Sequence, residues 1–553
     1  MRTRLIPKLF SVFKEGYSSQ LFFKDLLAGV IVAIIALPLS IALAIASGAR
    51  PEQGLYTAII GGFLIAFFGG SRVQIGGPTG AFIVIIYGII TKYGYDGLAV
   101  ATLLSGAMLI CMGVIRLGNV IKFIPYPVTI GFTSGIALII FTSQIKDLFG
   151  LQVAGNLPSE FWPKCVTLFQ HFQTLDFSSA FIGIMSLVIL IFFPKITKKI
   201  PASLVAVFLA PLVVHFAHLD IASITSRFGE IPTHLPMPHF PHVTWELCKQ
   251  LFQPALSIAL LAGIESLLSA VIADGMTGGK HRSNMELVAQ GLANIGSIFF
   301  QGLPATGAIA RTATNIKNGG KTPIAGIVHS VTLLVIMMCF GKWAGLIPMP
   351  VLAAILMLVA YHMSEWRLFV SILKAPKSDV LVLLSTFFLT VFVDIIVAIQ
   401  VGVVLAALLF MKHMSENTKA THLTDDANIN EKENFKQLHN IPQEIEVFEV
   451  YGPMFFGAVY QFKETLDRIQ KKPKVLILRM RHIMTLDASA LKALEDVTHK
   501  AKIDQTTFFL SGIHGRVLHT LRKSGIAQKI GEKNIFDHFE DALSAAKDLV
   551  TKK

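Results

Sequence analysis

From Asp25 to Ala46 the chain carries no charge after Asp25 itself, and from Ala255 to Ala273 it carries only Glu265. Each run is long enough to cross a bilayer, which takes roughly 20 apolar residues per helix. A helix apolar all round has to be buried in protein or in lipid, and runs of this kind follow one another along most of the chain. Fourteen segments are expected, near 25–46, 54–70, 76–91, 97–115, 123–145, 178–194, 201–217, 252–275, 286–302, 306–316, 322–341, 347–362, 378–395 and 396–413. The third and tenth are too short, or too rich in Gly and Pro, for ordinary spans. Only 15% of the 553 residues are charged, against about 25% in a soluble domain. A soluble protein would need more than a dozen wholly buried helices, so that class is excluded.

The net charge is +13. The charges are dispersed through short loops and build no single basic face, which argues against a nucleic-acid partner. With the N-terminus inside, the cytoplasmic loops hold Arg72; Arg116 and Lys122; Lys195, Lys198 and Lys199; Lys280 and Arg282; Lys317 and Lys321; and Arg367, Lys374 and Lys377. The opposite short loops hold only Arg50, Lys92 and Lys342. That asymmetry fits the positive-inside rule. It predicts a cytoplasmic N-terminus over residues 1–24, a multi-pass domain over 25–413, and long extracytoplasmic loops near 146–177 and 218–251. The four cysteines, Cys111, Cys165, Cys248 and Cys339, have no paired spacing. They suggest neither a metal site nor a disulfide framework.

The sequence repeats itself. Ile124-Pro125-Tyr126-Pro127-Val128 returns as Ile347-Pro348-Met349-Pro350-Val351, and the Thr79-Gly80-Ala81 that follows Pro78 returns as Thr306-Gly307-Ala308. Both pairs keep the same order and nearly the same offset. Seven segments separate the copies, and an odd number inverts the second. Irregular backbone at membrane depth is tolerated only where protein or a cavity covers it. If each Gly/Pro motif precedes a half-helix, two helix N-termini, each with unpaired N–H groups and about half a positive charge, converge on one site. Pro78, Thr79, Gly80, Ala81, Thr306, Gly307 and Ala308 are therefore candidate anion-binding residues, with the two threonine hydroxyls capping the helix ends or touching the ligand. Arg311, expected about a turn and a half inside the tenth segment, adds positive potential, and an Arg within a span is usually functional. Glu265 is the clearest intramembrane acid. Loss of water disfavours its charged form, so a proton on Glu265 could enter together with an anion. Ser269, one turn further on, shares its face. Asp394 and His329 are weaker candidates.

After Met414 the composition changes. Residues 414–440 read as a polar linker. Residues 441–553 read as a compact α/β domain. Its expected strands are Glu446 to Val450, Val475 to Met480 and Thr506 to Ser511. Its expected helices are Ala488 to Lys502 and Gly515 to Lys523.

Gly77-Pro78-Thr79-Gly80-Ala81, Gly263-Ile264-Glu265-Ser266-Leu267-Leu268 and Ala308-Ile309-Ala310-Arg311-Thr312 resemble the sulfate permease family, the prokaryotic relatives of solute carrier family 26, and the tail resembles its STAS domain. Leu37 to Gly48 and Asp274 to His281 look like the aerobic C4-dicarboxylate transporters of that family. The resemblance implies a polytopic α-helical membrane protein of 14 segments as 7+7 inverted repeats, plus a cytoplasmic α/β STAS domain. Segments 1–4 and 8–11 would form a core and segments 5–7 and 12–14 a gate. It also implies elevator-like transport, a homodimer in a bacterial inner membrane with both termini cytoplasmic, and an anion held between segments 3 and 10. Animal members often carry Gln and Phe where Leu39 and Leu43 stand, so those positions enter the site here without the polar contact. Sodium-dependent bicarbonate members carry Asp at the Glu265 position, so Glu leans toward proton coupling or no cation coupling. Asp487-Ala488-Ser489-Ala490 matches the STAS regulatory loop. Ala488 stands where anti-sigma antagonist domains phosphorylate a Ser, which leaves Ser489 as a weak candidate and contacts with a cytoplasmic protein as the means of regulation.

The leading expectation is a proton-linked secondary transporter of C4-dicarboxylate, sulfate or bicarbonate, embedded in lipid. The alternatives are an uncoupled exchanger or channel, a sodium-coupled bicarbonate transporter, and a sensor working through its tail. No nucleotide loop, metal spacing or nucleophile–base pair supports an enzyme or a cofactor.

Overall fold

The computed structural model describes residues 5–119, 124–153, 155, 157–197, 200–416, 419–422, 441–452, 454, 455, 457, 459 and 472–551. The cations expected at Lys122, Lys198 and Lys199 lie outside these residues. Two compact units divide the chain, 1–403 and 404–553.

Every expected membrane segment is found. Among the described residues, eight helices are long and apolar enough to cross a bilayer; the others are shorter or broken. Segment 1 is Ser19–Ala46, segment 5 Tyr126–Leu148, segment 8 Trp245–Thr277 and segment 11 Ile324–Ala344. Segment 2 is an α-helix, Pro51–Tyr56, then a π-helical turn, Thr57–Gly61, then Gly62–Phe68. Segments 3 and 4 share the helix Ile83–Val114, interrupted at Gly94 (φ 69°). Segment 10 is only Ile309–Lys317. Segments 3 and 4 pack on segments 8 and 9, and segment 1 on segment 11; segment 5 packs on segments 12 and 13, and segment 12 on segment 6. These two groups are the core and the gate.

The core is joined by a short antiparallel pair, β1 (Gly76–Gly77) with β2 (Thr306–Gly307), in the register Gly76 to Gly307 and Gly77 to Thr306. Beyond the pair the chain runs into segment 3 on one side and segment 10 on the other. Both half-helices therefore begin at the crossing and run away from it.

The approach to each half-helix is held by distant side chains. Thr312 Oγ1 accepts from Ile75 N (3.0 Å) and Asn315 Nδ2 donates to Val73 O (2.8 Å). Thr57 Oγ1 accepts from Leu303 N (2.6 Å), and Asn294 exchanges two hydrogen bonds with Ala305. These bonds satisfy the irregular backbone that lipid could not. Two buried acids do the same at the ends of segments. Glu286 accepts from Gly70 N (2.8 Å), Ser71 N (3.1 Å), Ser266 Oγ (3.1 Å) and Gln290 Nε2 (2.9 Å). Asp25 accepts from Lys321 N (2.7 Å), Thr322 N (3.1 Å), Thr322 Oγ1 (2.5 Å) and Tyr17 OH (3.1 Å). Removing one partner from a buried donor costs about 1–3 kcal/mol. Asp25→Ala strands several at once and should destabilise by about 3 kcal/mol, read as a lower melting temperature in detergent. A variant that melts with the parent would refute this role.

The second unit carries a five-stranded sheet in the order β3 (Lys419–His422), β4 (Ile445–Tyr451), β5 (Val475–His482), β6 (Thr507–Ser511), β7 (Ile535–Phe536). β4 to β7 are parallel, and β3 is an antiparallel edge. Helices Ala488–Ile503, Gly515–Lys523 and Ile526–Ile530 cover one face, and Phe539–Thr551 the other. The expectation of a linker over 414–440 needs correcting. Segment 14 continues to Glu416, and β3 lies inside the stretch because its backbone pairs with the free edge of β4. Residues 417–418 and 423–440 lie outside the described ones.

Candidate anion-binding site

The crossing of the half-helices fixes what each expected residue does. Gly80, Ala81 and Phe82 form a single 3₁₀ turn that leads into Ile83–Val114, with Thr79 as its N-cap residue. The Thr79 hydroxyl caps nothing. It donates instead to Glu265 Oε2 at 2.7 Å. The N-terminus of segment 3 and the intramembrane acid of segment 8 are thereby joined by one hydrogen bond. Pro78, Gly80 and Ala81 are buried beside it. The gate reaches the same point with apolar groups: a Cβ built on Gly80 would stand 3.4 Å from Met363 Sδ and 3.6 Å from Ile140 Cδ1.

The second copy behaves differently. Thr306 lies in β2, fully buried, and its hydroxyl donates to Ala262 O at 3.0 Å. The expectation that Thr306 caps segment 10 is corrected, because the strand turns its side chain onto segment 8. Gly307 completes β2, and Ala308 is the N-cap residue of Ile309–Lys317. That helix starts later than the sequence suggested, so Arg311 is its third residue and sits in the first turn.

Arg311 is 3% exposed. Its Nη2 donates to Ser40 Oγ (3.2 Å), and its Nε and Nη1 have no partner among the described residues. Gly77, at φ 151°, lies against Nη1, where a Cβ would collide with it. Only glycine serves there. Leu39 is half-buried and Leu43 buried. The polar contribution of segment 1 comes from Ser40 between them.

Ser269 stands one turn beyond Glu265 on the same helix. Its hydroxyl goes to Thr312 Oγ1 (3.3 Å). The face that segment 8 turns toward the approach to segment 3 carries Ser266, whose Oγ accepts from Gln74 Nε2 (2.9 Å) and donates to Glu286. Asp394 accepts from Ile396 N at a span end, and His329 is buried with neither ring nitrogen partnered among the described residues. One Ser–His–carboxylate row does occur. His281 Nδ1 meets Asp274 Oδ2 (2.6 Å), and Nε2 meets Ser283 Oγ (2.9 Å). Ser283 is buried at the start of its helix, so the row ties the loop after segment 8 and offers no open nucleophile. In the second unit Asp487 accepts from Ala490 N (2.8 Å) as N-cap of Ala488–Ile503, with Ser489 half-buried beside it.

A core built from two inverted copies around crossed half-helices, with an Arg and an acid at the crossing, is the build of a membrane transporter for anions. The sulfate permease family model matches residues 22–386 and the STAS domain model matches residues 438–542; the chain belongs to that family and is one of its anion transporters. It is 41% identical to the Bacillus subtilis (strain 168) protein named "Putative sulfate transporter YvdB", over 95% of this chain and 98% of that one. It is 31% identical to the bicarbonate transporter BicA of Synechocystis, over 94% of each chain. The solved structure of the murine solute carrier 26 family member A9 anion transporter shares the fold, with a TM-score of 0.87 at 18% identity over 98% of this chain and 94% of that chain.

Proposed function

We propose that this anion transporter is a proton-coupled secondary carrier, and that Glu265 and Thr79 are the coupling pair. The observation that carries this reading is the 2.7 Å bond from Thr79 to Glu265. An ionised carboxylate only accepts, so it takes up the one hydrogen of the Thr79 hydroxyl. A protonated Glu265 has its own O–H. It can donate to Thr79 Oγ1 and release the threonine hydrogen toward an anion at the helix end. Proton and anion then bind better together than either does alone, which is what symport requires.

The candidates for the anion are sulfate, bicarbonate and C4-dicarboxylates. The names of the relatives put the first two ahead. Sulfate and carboxylates suit a helix N-terminus equally, so the Thr79 end alone does not choose among them. Movement is elevator-like, with the core, which holds both half-helices, sliding against the apolar gate surface at Ile140 and Met363. The chain is a homodimer in a bacterial inner membrane, with both termini cytoplasmic, as the loop charges favour. The STAS domain regulates through contacts with a cytoplasmic protein. A second reading is sodium-coupled transport of bicarbonate, the anion in that relative's name.

Proteoliposome uptake of labelled succinate, fumarate, sulfate and bicarbonate separates these readings, with and without a pH gradient and with and without sodium. Stimulation by an inward proton gradient supports proton symport. Sodium dependence in its place supports the second reading. No uptake of any of the four would overturn the carrier reading.

A further inference from the structure

Between segments 5 and 6 the chain forms a helix, Phe161–Gln170, which packs on segments 5 and 13 of the gate. Phe161 makes an edge-to-face contact with Phe392 of segment 13 (ring centroids 5.8 Å apart). The same stretch of chain also touches the core. Tyr87, on the outer course of segment 3, donates its hydroxyl to Leu157 O at 2.6 Å, and Lys164 Nζ stands 5.9 Å from the centre of the Tyr87 ring. Gly48, just past the end of segment 1, also lies against that ring.

Lys164 is 5% exposed. No carboxylate among the described residues acts on it, and burial lowers its pKa from the ordinary lysine value. A buried ammonium without a counter-ion is unusual. A tyrosine ring face offsets the loss of water only in part. Tyr87 lies eight residues beyond Thr79, roughly 12 Å along the helix, on the side of the anion site away from the chain termini. The contact of the stretch between segments 5 and 6 with segment 3 is therefore on the same core segment whose start carries Thr79.

We propose that Lys164 is the outer capture point for the transported anion: the cation is covered by Tyr87 while the stretch between segments 5 and 6 lies on segment 3, and it is uncovered and next to the anion's route when that stretch moves with the gate. The ligand class is a small inorganic or carboxylate anion. The inference rests on the reading of the chain as an anion carrier. A single cation at the mouth of a low-dielectric passage raises the local concentration of anions and leaves the later steps alone.

The test uses the full chain in oriented proteoliposomes with radiolabelled sulfate, and bicarbonate in parallel. Lys164→Gln should raise the outer-face KM by about tenfold, leave the maximal rate nearly unchanged, and leave the KM from the opposite face as in the parent. Lys164→Arg should restore the outer-face KM. Equal KM on both faces in Lys164→Gln and the parent overturns the inference, and so does a rise of the same size on both faces. If Lys164→Gln does not fold, acetylation of Lys164 in the parent by a membrane-impermeant reagent reads the same point. Slowing by sulfate supports capture, and sulfate-independent acetylation overturns it. A parent protein that takes up neither these anions nor dicarboxylates overturns the carrier reading itself, and this inference with it.

Discussion

Glu265→Gln should abolish the stimulation of uptake by an inward proton gradient and leave anion exchange at equal pH on the two sides measurable. The glutamine side chain matches the size of the carboxyl, and its carbonyl oxygen can still accept from Thr79. Its amide N–H₂ can also donate to Thr79 Oγ1, so the variant mimics the protonated acid permanently. Thr79 therefore keeps its place in the turn that opens segment 3. What disappears is the ability to alternate between accepting and donating. The expected loss is the whole proton-driven component, with the variant taking up no more anion at an outer pH of 6 than at 8. Thr79→Val should reproduce part of the effect, since the acid then titrates without a hydroxyl to inform. If Glu265→Gln accumulates anion against a gradient as the parent does, Glu265 is a structural acid and the coupling lies elsewhere.

Much of the core was legible because its signal is local. The Thr-Gly-Ala copies stand next to apolar runs, and the antiparallel pair formed by Gly76–Gly77 and Thr306–Gly307 is the structural counterpart of that repetition. The copies are nevertheless not equal. In the first, the strand ends two residues before Thr79; in the second, Thr306 is itself in the strand. That small displacement leaves Thr79 to meet Glu265 and directs Thr306 onto Ala262 O. Matching residue types could not reveal it, because it is set by the register between two stretches far apart in the chain. The same distance hid Ser40, Gln74, Asp25 and Glu286. Each holds a group from another segment, and at its own position looks like an ordinary helix residue, the first polar residue of a span or, for Gln74, a loop residue. Ser269 shows what helical spacing leaves open. Helical spacing placed it on the face of Glu265, and it does lie on segment 8, but Thr312 on segment 10 takes its hydroxyl. In the tail, three strands and two helices agree with the expected ones to within a few residues, while Ile526–Ile530, Ile535–Phe536 and Phe539–Thr551 were not expected. Nor was strand β3, since four residues of a polar stretch form a strand only because the edge of β4 is there to pair with them.

Arg311→Met should nearly eliminate transport and leave the protein as stable as the parent or more so, a combination that a packing residue cannot give. The guanidinium is 3% exposed, makes one 3.2 Å bond to Ser40, and leaves two of its nitrogens unpartnered among the described residues. Holding a charge away from water with so little compensation is costly, and exchanging such an ion for an apolar side chain of similar volume is often neutral or stabilising. Insertion scales put an Arg at the middle of a span at about 2.5–3.5 kcal/mol, the scale of what methionine could recover. The backbone around Arg311 is arranged to tolerate it: Gly77 has no side chain where Nη1 lies, and its φ of 151° suits glycine alone. A structure that bears this cost at the point where both half-helices begin keeps the cation for a ligand that can use it. The unpartnered N–H groups are then the donors that an oxyanion would take up. Losing them should cut the uptake rate by about 100-fold, equivalent to about 2.7 kcal/mol at 1.36 kcal/mol per tenfold. Arg311→Lys should recover only part of it, because an ammonium keeps the charge and lacks the planar fork. The two readouts are anion uptake in proteoliposomes and the melting temperature in detergent. Unimpaired uptake by Arg311→Met would remove Arg311 from the site. A large drop in melting temperature, with uptake lost in proportion to folded protein, would make it a structural cation held by Ser40.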